Sequence, residues 1–457
     1  MYMDSNNLTG EAIIKLIDRY KIRQVPRFEK LQKIFIGKHD ILNRTMDAGK
    51  PNNKIILDYP SYITNIMTGY FMGKPVTYTT DNVEDHDYLL LIKNILDRNN
   101  EDKENVELSK EISIKGESYE LLYIDENKNI CFTQIPAEQL FIYYEPNFNK
   151  KIDFAIRFYN VTDILSEEET LKIELYTSNS IKYYTKISDT ELQFNNEITH
   201  YFGEIPIIHF VNNKEKLGDW EKIISLINDL EERLSDNANE LEAFRNAYIV
   251  ATGLGLIEPE DFEKFKQVGA MALPDKDDKV EFLTKNINDD FSEHHIERII
   301  HLIHKMAMIP DLSDKNFSGS VSGIAIQFKL YCMEQIAAIK EQNFNEGLNR
   351  RLRLITNMLN FKELTQYDSR KITAIFVRNI PANLTELAEM AYKLKGIVSD
   401  ETLISQFPFV TDVQAEIEKL DFDAEKEIKR ELKKDSYVPA MGYEYSMLSE
   451  ERGDNNG

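Results

Sequence analysis

Two long helical patterns separated by a short, break-rich stretch do most to limit how this chain can fold. Ile223, Ile227, Leu230, Leu234, Ala238 and Leu241 recur at three and four residues across 220–250, which predicts one long amphipathic helix. Its other face is acidic, with Asp219, Glu221, Asp229, Glu231, Glu232, Asp236, Glu240 and Glu242 outnumbering Lys222, Arg233 and Arg245. Over 252–283 the pattern breaks around Gly253, Gly255, Pro259, Gly269 and Pro274 and reads as a small α/β excursion. A second helix returns over 291–309 and stops at Pro310. This plan is unusual for a compact enzyme. It predicts a stalk that projects from a body and packs in an oligomer.

The rest of the chain supplies that body, and the class is α+β. Residues 11–35 read as two short helices broken near Pro26, and 58–72 as a helix stopped by Gly73-Lys74-Pro75 before a β-like run at 76–79. Helical patterns at 89–96 and 106–114 precede short alternating segments between Glu117 and Val211, a β-meander. After a loop at 311–322, a helix without internal proline runs from Gly323 to about Leu359. The strand pattern at 372–377 is isolated, so it must travel back to pair with an earlier sheet. Asn383-Leu-Thr-Glu386 and Thr411-Asp-Val-Gln414 fit capping boxes, and the final residues are polar. At 457 residues there is room for about three units of ~150 residues.

Familiar chemistry is missing from the motifs. Gly73-Lys74 runs into Pro75 and Gly37-Lys38 into His39, so neither makes a phosphate-binding loop. Gly253-Leu-Gly255 lacks the third glycine of a dinucleotide fingerprint. Cys131 and Cys332 are far apart without metal spacing; they point to a reducing compartment and are expected to be buried. No apolar run approaches the ~18 residues of a membrane span. His294, Glu297, His301 and His304 share one helical stripe and could titrate or ligate zinc together. A polar contact between neighbouring helices, opposite Ile296, Ile299, Ile303 and Ala307, explains them better, because a stripe is too spread to close a tetrahedron. Arg350, Arg351 and Arg353 are expected to pair with acidic neighbours rather than DNA phosphate. No catalytic, cofactor-binding or metal-ligating residue is predicted.

Ordered blocks carry a resemblance. Phe35-Ile-Gly37-Lys-His39-Asp-Ile-Leu-Asn-Arg44, Lys50-Pro-Asn-Asn-Lys-Ile55 and Gly69-Tyr-Phe-Met-Gly-Lys-Pro-Val76 resemble the opening of portal proteins from siphophages of Gram-positive hosts. Val211-Asn-Asn213, Leu217-Gly-Asp219, Ile224-Ser-Leu-Ile-Asn-Asp229, Ile309-Pro-Asp-Leu-Ser-Asp314, Ser322-Gly-Ile-Ala325 and Gly396-Ile-Val-Ser-Asp-Glu-Thr402 follow in the family's order. The resemblance implies the portal fold, an α/β wing, a two-helix stem, a small α/β clip, a long kinked helix after the tunnel loop, and a helical crown. Mapped here, the wing is 1–215 with return strand 372–377, the stem helices 216–251 and 284–309, and the clip 252–283. The tunnel loop is 310–322, the long wing helix 323–371, and the crown with its tail 378–457.

That architecture implies a ring, usually of twelve copies, at the capsid vertex of the virion, assembled in the host cytoplasm, with double-stranded DNA passing through it. Implied partners are the large terminase, a head–tail adaptor, and the major capsid and scaffold proteins; no membrane is involved. The tunnel loop would place Asp314, Lys315, Asn316, Phe317, Ser318, Gly319 and Ser320 by the DNA. Glu258, Glu260, Asp261, Lys264, Lys266 and Asp275 would form the clip's docking surface, and Trp220, Leu230, Leu234, His294, His301 and His304 the stem interface. Net charge is 55 − 78 = −23 per chain. Such a chain repels phosphate, so it suits a passage that DNA slides through without sticking. The competing readings are an acidic intracellular scaffold or adaptor without a DNA role, and a hydrolase built on the histidine stripe.

Overall fold

The computed structural model describes residues 8–245, 248–252, 260, 279–283, 289–312, 323–380, 384–407, 410 and 413–435. The chain forms two compact units, 1–380 and 381–457.

In the first unit, α1 (Gly10–Arg23) starts at Thr9, whose hydroxyl accepts from the Ala12 amide at 3.3 Å. Pro26 sits in the first turn of α2 (Val25–Phe35), where a missing N–H costs nothing. Next come α3 (Tyr59–Met72), β1 (Thr77–Thr79), α4 (His86–Arg98) and α5 (Glu101–Lys115). Gly116 ends α5 at φ +82°, and a Cβ there would lie 2.0 Å from the Lys216 carbonyl oxygen. Only glycine allows the chain to turn so tightly into the next strand.

The strands between 117 and 211 divide in a way the alternating pattern does not reveal. β4 (Leu140–Tyr144), β5 (Ile152–Thr162), β6 (Glu169–Tyr176), β7 (Ser180–Lys186) and β8 (Leu192–Thr199) form a true antiparallel meander. β2 (Glu117–Ile124) instead sits between β3 (Ile130–Ile135) and β9 (Ile207–Val211) in a separate sheet. β8 escaped the sequence reading because its residues are polar or exposed along nearly its whole length. Ile13 and Ile17 of α1 pack on Phe154, Ile156, Ile173 and Leu175 of the meander, while Phe28 of α2 joins the core between the sheets.

The stalk patterns give α6 (Ile224–Arg245) and α7 (Asp289–Ala307). The first ends before Val250, correcting the helix expected to about that residue. Tyr248–Thr252 (β10) is a strand that pairs antiparallel with Lys279–Leu283 (β11), Tyr248 opposite Leu283. Tyr248, Ile249, Val250 and Thr252 are aromatic or β-branched, and pairing decides for the strand. α8 (Gly323–Glu363) has 41 residues and so spans about 60 Å. At Gly347 it presses on β9, where a Cβ would meet the Phe210 ring at 2.3 Å. β12 (Thr373–Ile375) does return, pairing with β1, but the two form a sheet of their own.

The second unit contains α9 (Leu384–Leu394), α10 (Asp400–Ser405) and α11 (Val413–Asp435). Ser399 caps α10 by accepting from the Thr402 amide at 3.3 Å. One cysteine departs from expectation: Cys332 is exposed and Cys131 half-buried. Leu330, Met333 and Ala337 supply the packed face of α8, which leaves Cys332 turned outward.

Candidate functional site

The root of α6 is fixed by one buried and one half-buried ion pair. Lys340 of α8 reaches Asp219 Oδ2 at 2.7 Å and Ser113 Oγ at 2.7 Å, with both charged side chains buried. Burial pulls the Lys340 ammonium below its ordinary value, and Asp219 opposes that shift. Asn212 Nδ2 donates to the other Asp219 oxygen at 2.8 Å. Arg27 grips Glu221 at two points, 2.8 Å and 2.6 Å, and also donates to the Lys216 carbonyl. Trp220 donates its indole N–H to Thr64 Oγ1 at 3.0 Å.

Farther along α6, an irregular strap over 39–57 lies against the helix. The Leu57 amide donates to Glu231 Oε1 at 2.9 Å, the Ile55 amide to Ser235 Oγ at 2.9 Å, and the Asn53 amide to Asn239 Oδ1 at 2.6 Å. Two strap residues thus match four helix residues, because two extended residues advance about 6.6 Å and four helical ones about 6 Å. Asn53 Nδ2 continues the series to Glu242 at 2.7 Å, and Arg44 pairs with Asp236. His39 anchors the near end: Nδ1 meets Glu231 Oε1 at 2.5 Å and Nε2 the Ile34 carbonyl at 2.9 Å, with both side chains buried. Both ring nitrogens then serve as donors, which is the protonated form. Burial pulls His39 down, but Glu231 and the Ile34 carbonyl outweigh it and raise its pKa.

These contacts revise the acidic face expected on α6. Asp219, Glu221, Glu231, Asp236 and Glu242 hold partners within the protomer, and Asp229 pairs with Arg233 and His295. A buried pair on one side of a helix reads in sequence like a solvated charge. The strap itself has no apolar period, so only the blocks 35–44 and 50–55, singled out by resemblance, point to it.

The arginines of α8 behave as expected. Arg351 is bidentate on Glu120, adds Glu101 at 3.0 Å, and lies over the Phe132 ring at 4.6 Å. Burial disfavours its charge, yet Glu120 and Glu101 hold the guanidinium above its ordinary value. Arg350 and Arg353 both bond Glu204 at 2.8 Å.

The predicted stem-interface residues separate. Trp220 and Leu230 are fully buried in the protomer's own core with Ile296, Ile299 and Ile303, so their surface is already used and cannot face a neighbour. Leu234 is half-buried against the same core; His294 and His301 are exposed. His304 turns to the edges of Tyr59 and Tyr62, ring centroids 5.8 and 6.0 Å away, and bonds the Ile309 carbonyl at 3.2 Å. The histidine stripe therefore does not converge, and the described residues contain no group of three metal-capable side chains. Glu260 is an exposed helical residue. Glu258, Asp261, Lys264, Lys266, Asp275 and all of Asp314–Ser320 lie outside the described residues. Among the described residues no helix is long and apolar enough to cross a membrane.

A buried-pair root, a strap along one helix, and a second helix that follows the paired strands β10 and β11 are means of attachment: they hold α6 and α7 in fixed register on the body. Comparison with known proteins agrees with a structural role. The family model for phage portal proteins of the SPP1 Gp6-like type matches residues 14–430. The portal protein of Bacillus phage SPP1 is 26% identical over 392 residues, covering 82% of this chain and 77% of its own. The portal protein of Clostridium phage phiCD119 is 22% identical over 408 residues, covering 84% and 88%. The chain belongs to the phage portal protein family, structural proteins of the virion's capsid vertex that serve in DNA packaging.

Proposed function

We propose that this portal subunit closes into a ring of twelve, with a central channel that carries double-stranded DNA into the capsid and out again. The family match over residues 14–430 carries this reading, and the two helices α6 and α7 on either side of the β10–β11 pair suit it. The wing is 1–215 with strand 372–377, the stem 216–251 and 284–309, the clip 252–283, the tunnel loop 310–322, the long wing helix 323–371, and the crown and tail 378–457. Because α6 ends at Arg245, the stem–clip border is better drawn before β10. The clip serves the large terminase during packaging and the head–tail adaptor afterwards, while capsid and scaffold proteins meet the outside of the ring. The subunit performs no chemistry; a separate terminase hydrolyses ATP, and assembly takes place in the host cytoplasm.

Net charge counts both partners of every internal pair, so the ring total of 12 × −23 = −276 survives the pairing found on α6. DNA meets few cations in such a passage, so it releases few counterions there and gains little of the affinity that would hold it in place. Lys315, Asn316 and Ser318 of the tunnel loop make transient backbone contacts. Negative-stain imaging of the purified chain tests the ring: a disc with a central hole is expected, and a persistent monomer overturns the reading. Deleting 314–321 is expected to impair packaging while rings still form; normal packaging removes the loop from the mechanism.

A further inference from the structure

The outward face of α8 near its start is unlike the rest of this acidic surface. From 328 to 342 the exposed positions are Phe328, Tyr331, Cys332, Gln335, Ile339 and Gln342, none of them charged. At 100° per residue these six fall within a sector about 100° wide and run about 21 Å along the helix. Phe328 is 76% exposed, Tyr331 59% and Ile339 54%. Of the flanking charges, Lys340 is buried against Asp219, the half-buried Glu334 and Glu341 both pair with Arg378, and Lys329 is half-buried to one side of the face. The opposite face, Leu330, Met333 and Ala337, is already packed in the protomer's core. Charge returns to the exposed face only at Glu346 and Arg353.

We propose that this charge-free face of α8 is a contact with a second copy of the chain, a proposal that rests on the ring reading. Each copy carries −23, so two copies repel, and a surface without charge is where they meet with the least added repulsion. Aromatic residues present and charges absent are also what the buried centre of an interface shows. DNA is a poor occupant, because the face offers no cation to phosphate.

Cys332 is a built-in reporter on this face, and no substitution is needed to use it. Full-length protein is separated into rings and monomers, and each is treated with a maleimide whose site of addition is read by peptide mass spectrometry. Cys332 is expected to label in the monomer and to lose that labelling in the ring. Equal labelling in both overturns the assignment of this face while leaving the ring reading intact. Absence of any ring in the wild type overturns the ring reading, and this contact with it. In a second arm, Phe328→Glu and Ile339→Glu are expected to keep the wild-type circular dichroism and lose ring formation; rings of normal size from both would also overturn the proposal.

Discussion

Arg351 and Glu120 form a two-point ion pair, Nε to Oε2 at 2.8 Å and Nη2 to Oε1 at 2.6 Å, with neither side chain reaching solvent. It joins the middle of α8 to β2, and Glu101, Tyr78 and Asn105 extend the network from α5 and β1. Removing one buried charge strands the other. Arg351→Met is expected to destabilise the folded chain by about 3–5 kcal/mol, measured as a lower urea midpoint. Adding Glu120→Leu and Glu101→Gln should recover much of the loss, since the cost lies in the unpaired carboxylates rather than in a missing attraction. An unchanged midpoint in Arg351→Met would show that the pair contributes nothing.

The strap gives a pH signature. His39 has a raised pKa in the folded chain, so its pairing with Glu231 contributes fully below the unfolded value of about 6.5 and is lost as pH rises through the folded value. The stability difference between wild type and His39→Ala is therefore expected to shrink on the alkaline side. Denaturation curves across that range check it; a difference that grows with pH contradicts the assignment.

Glu117 behaves in the opposite sense. Burial pushes its carboxyl up, but hydrogen bonds and charge from His209 at 3.0 Å and Lys216 at 3.1 Å outweigh it, and its pKa falls to about 2. Its contribution is present above the usual carboxylate value of about 4.3 and is lost as pH falls toward about 2. Glu117→Gln should flatten this part of the acid limb in a stability–pH profile. A profile superimposable on wild type below the usual carboxylate range would remove Glu117 from acid sensitivity.

Two glycines with similar backbones should respond differently to alanine. Gly37 has φ +79° with nothing within 4 Å of a Cβ, so Gly37→Ala carries only the left-handed penalty of about 1–2 kcal/mol. Gly116 has φ +82° and also faces the Lys216 carbonyl, so Gly116→Ala should cost clearly more. Thermal melting of the pair measures the gap, and equal losses would mean that the α5–β2 corner can relax.

Much of the organisation was legible in the chain itself. Proline and glycine marked the breaks near Pro26, Gly73 and Pro310, and apolar spacing marked the helices, because turns and helix burial leave local periods. Strand partners were another matter: β2, β3 and β9 alternate like the meander strands, and only long-range pairing separates the two sheets. The α6 boundary failed for the same reason, since residues 248–252 become a strand only when 279–283 lie beside them.

The sequence by itself determined the α+β class, the two long helices on either side of a break-rich stretch, and the family, because each rests on local pattern or on ordered resemblance. Tertiary structure alone decided which charges are solvated. Asp219, Glu231 and Arg351 look in sequence like surface residues of an acidic protein, yet each is buried against a partner more than a hundred residues away. A charge has the same one-dimensional signature in water and in a core; only the fold brings the opposite charge to it.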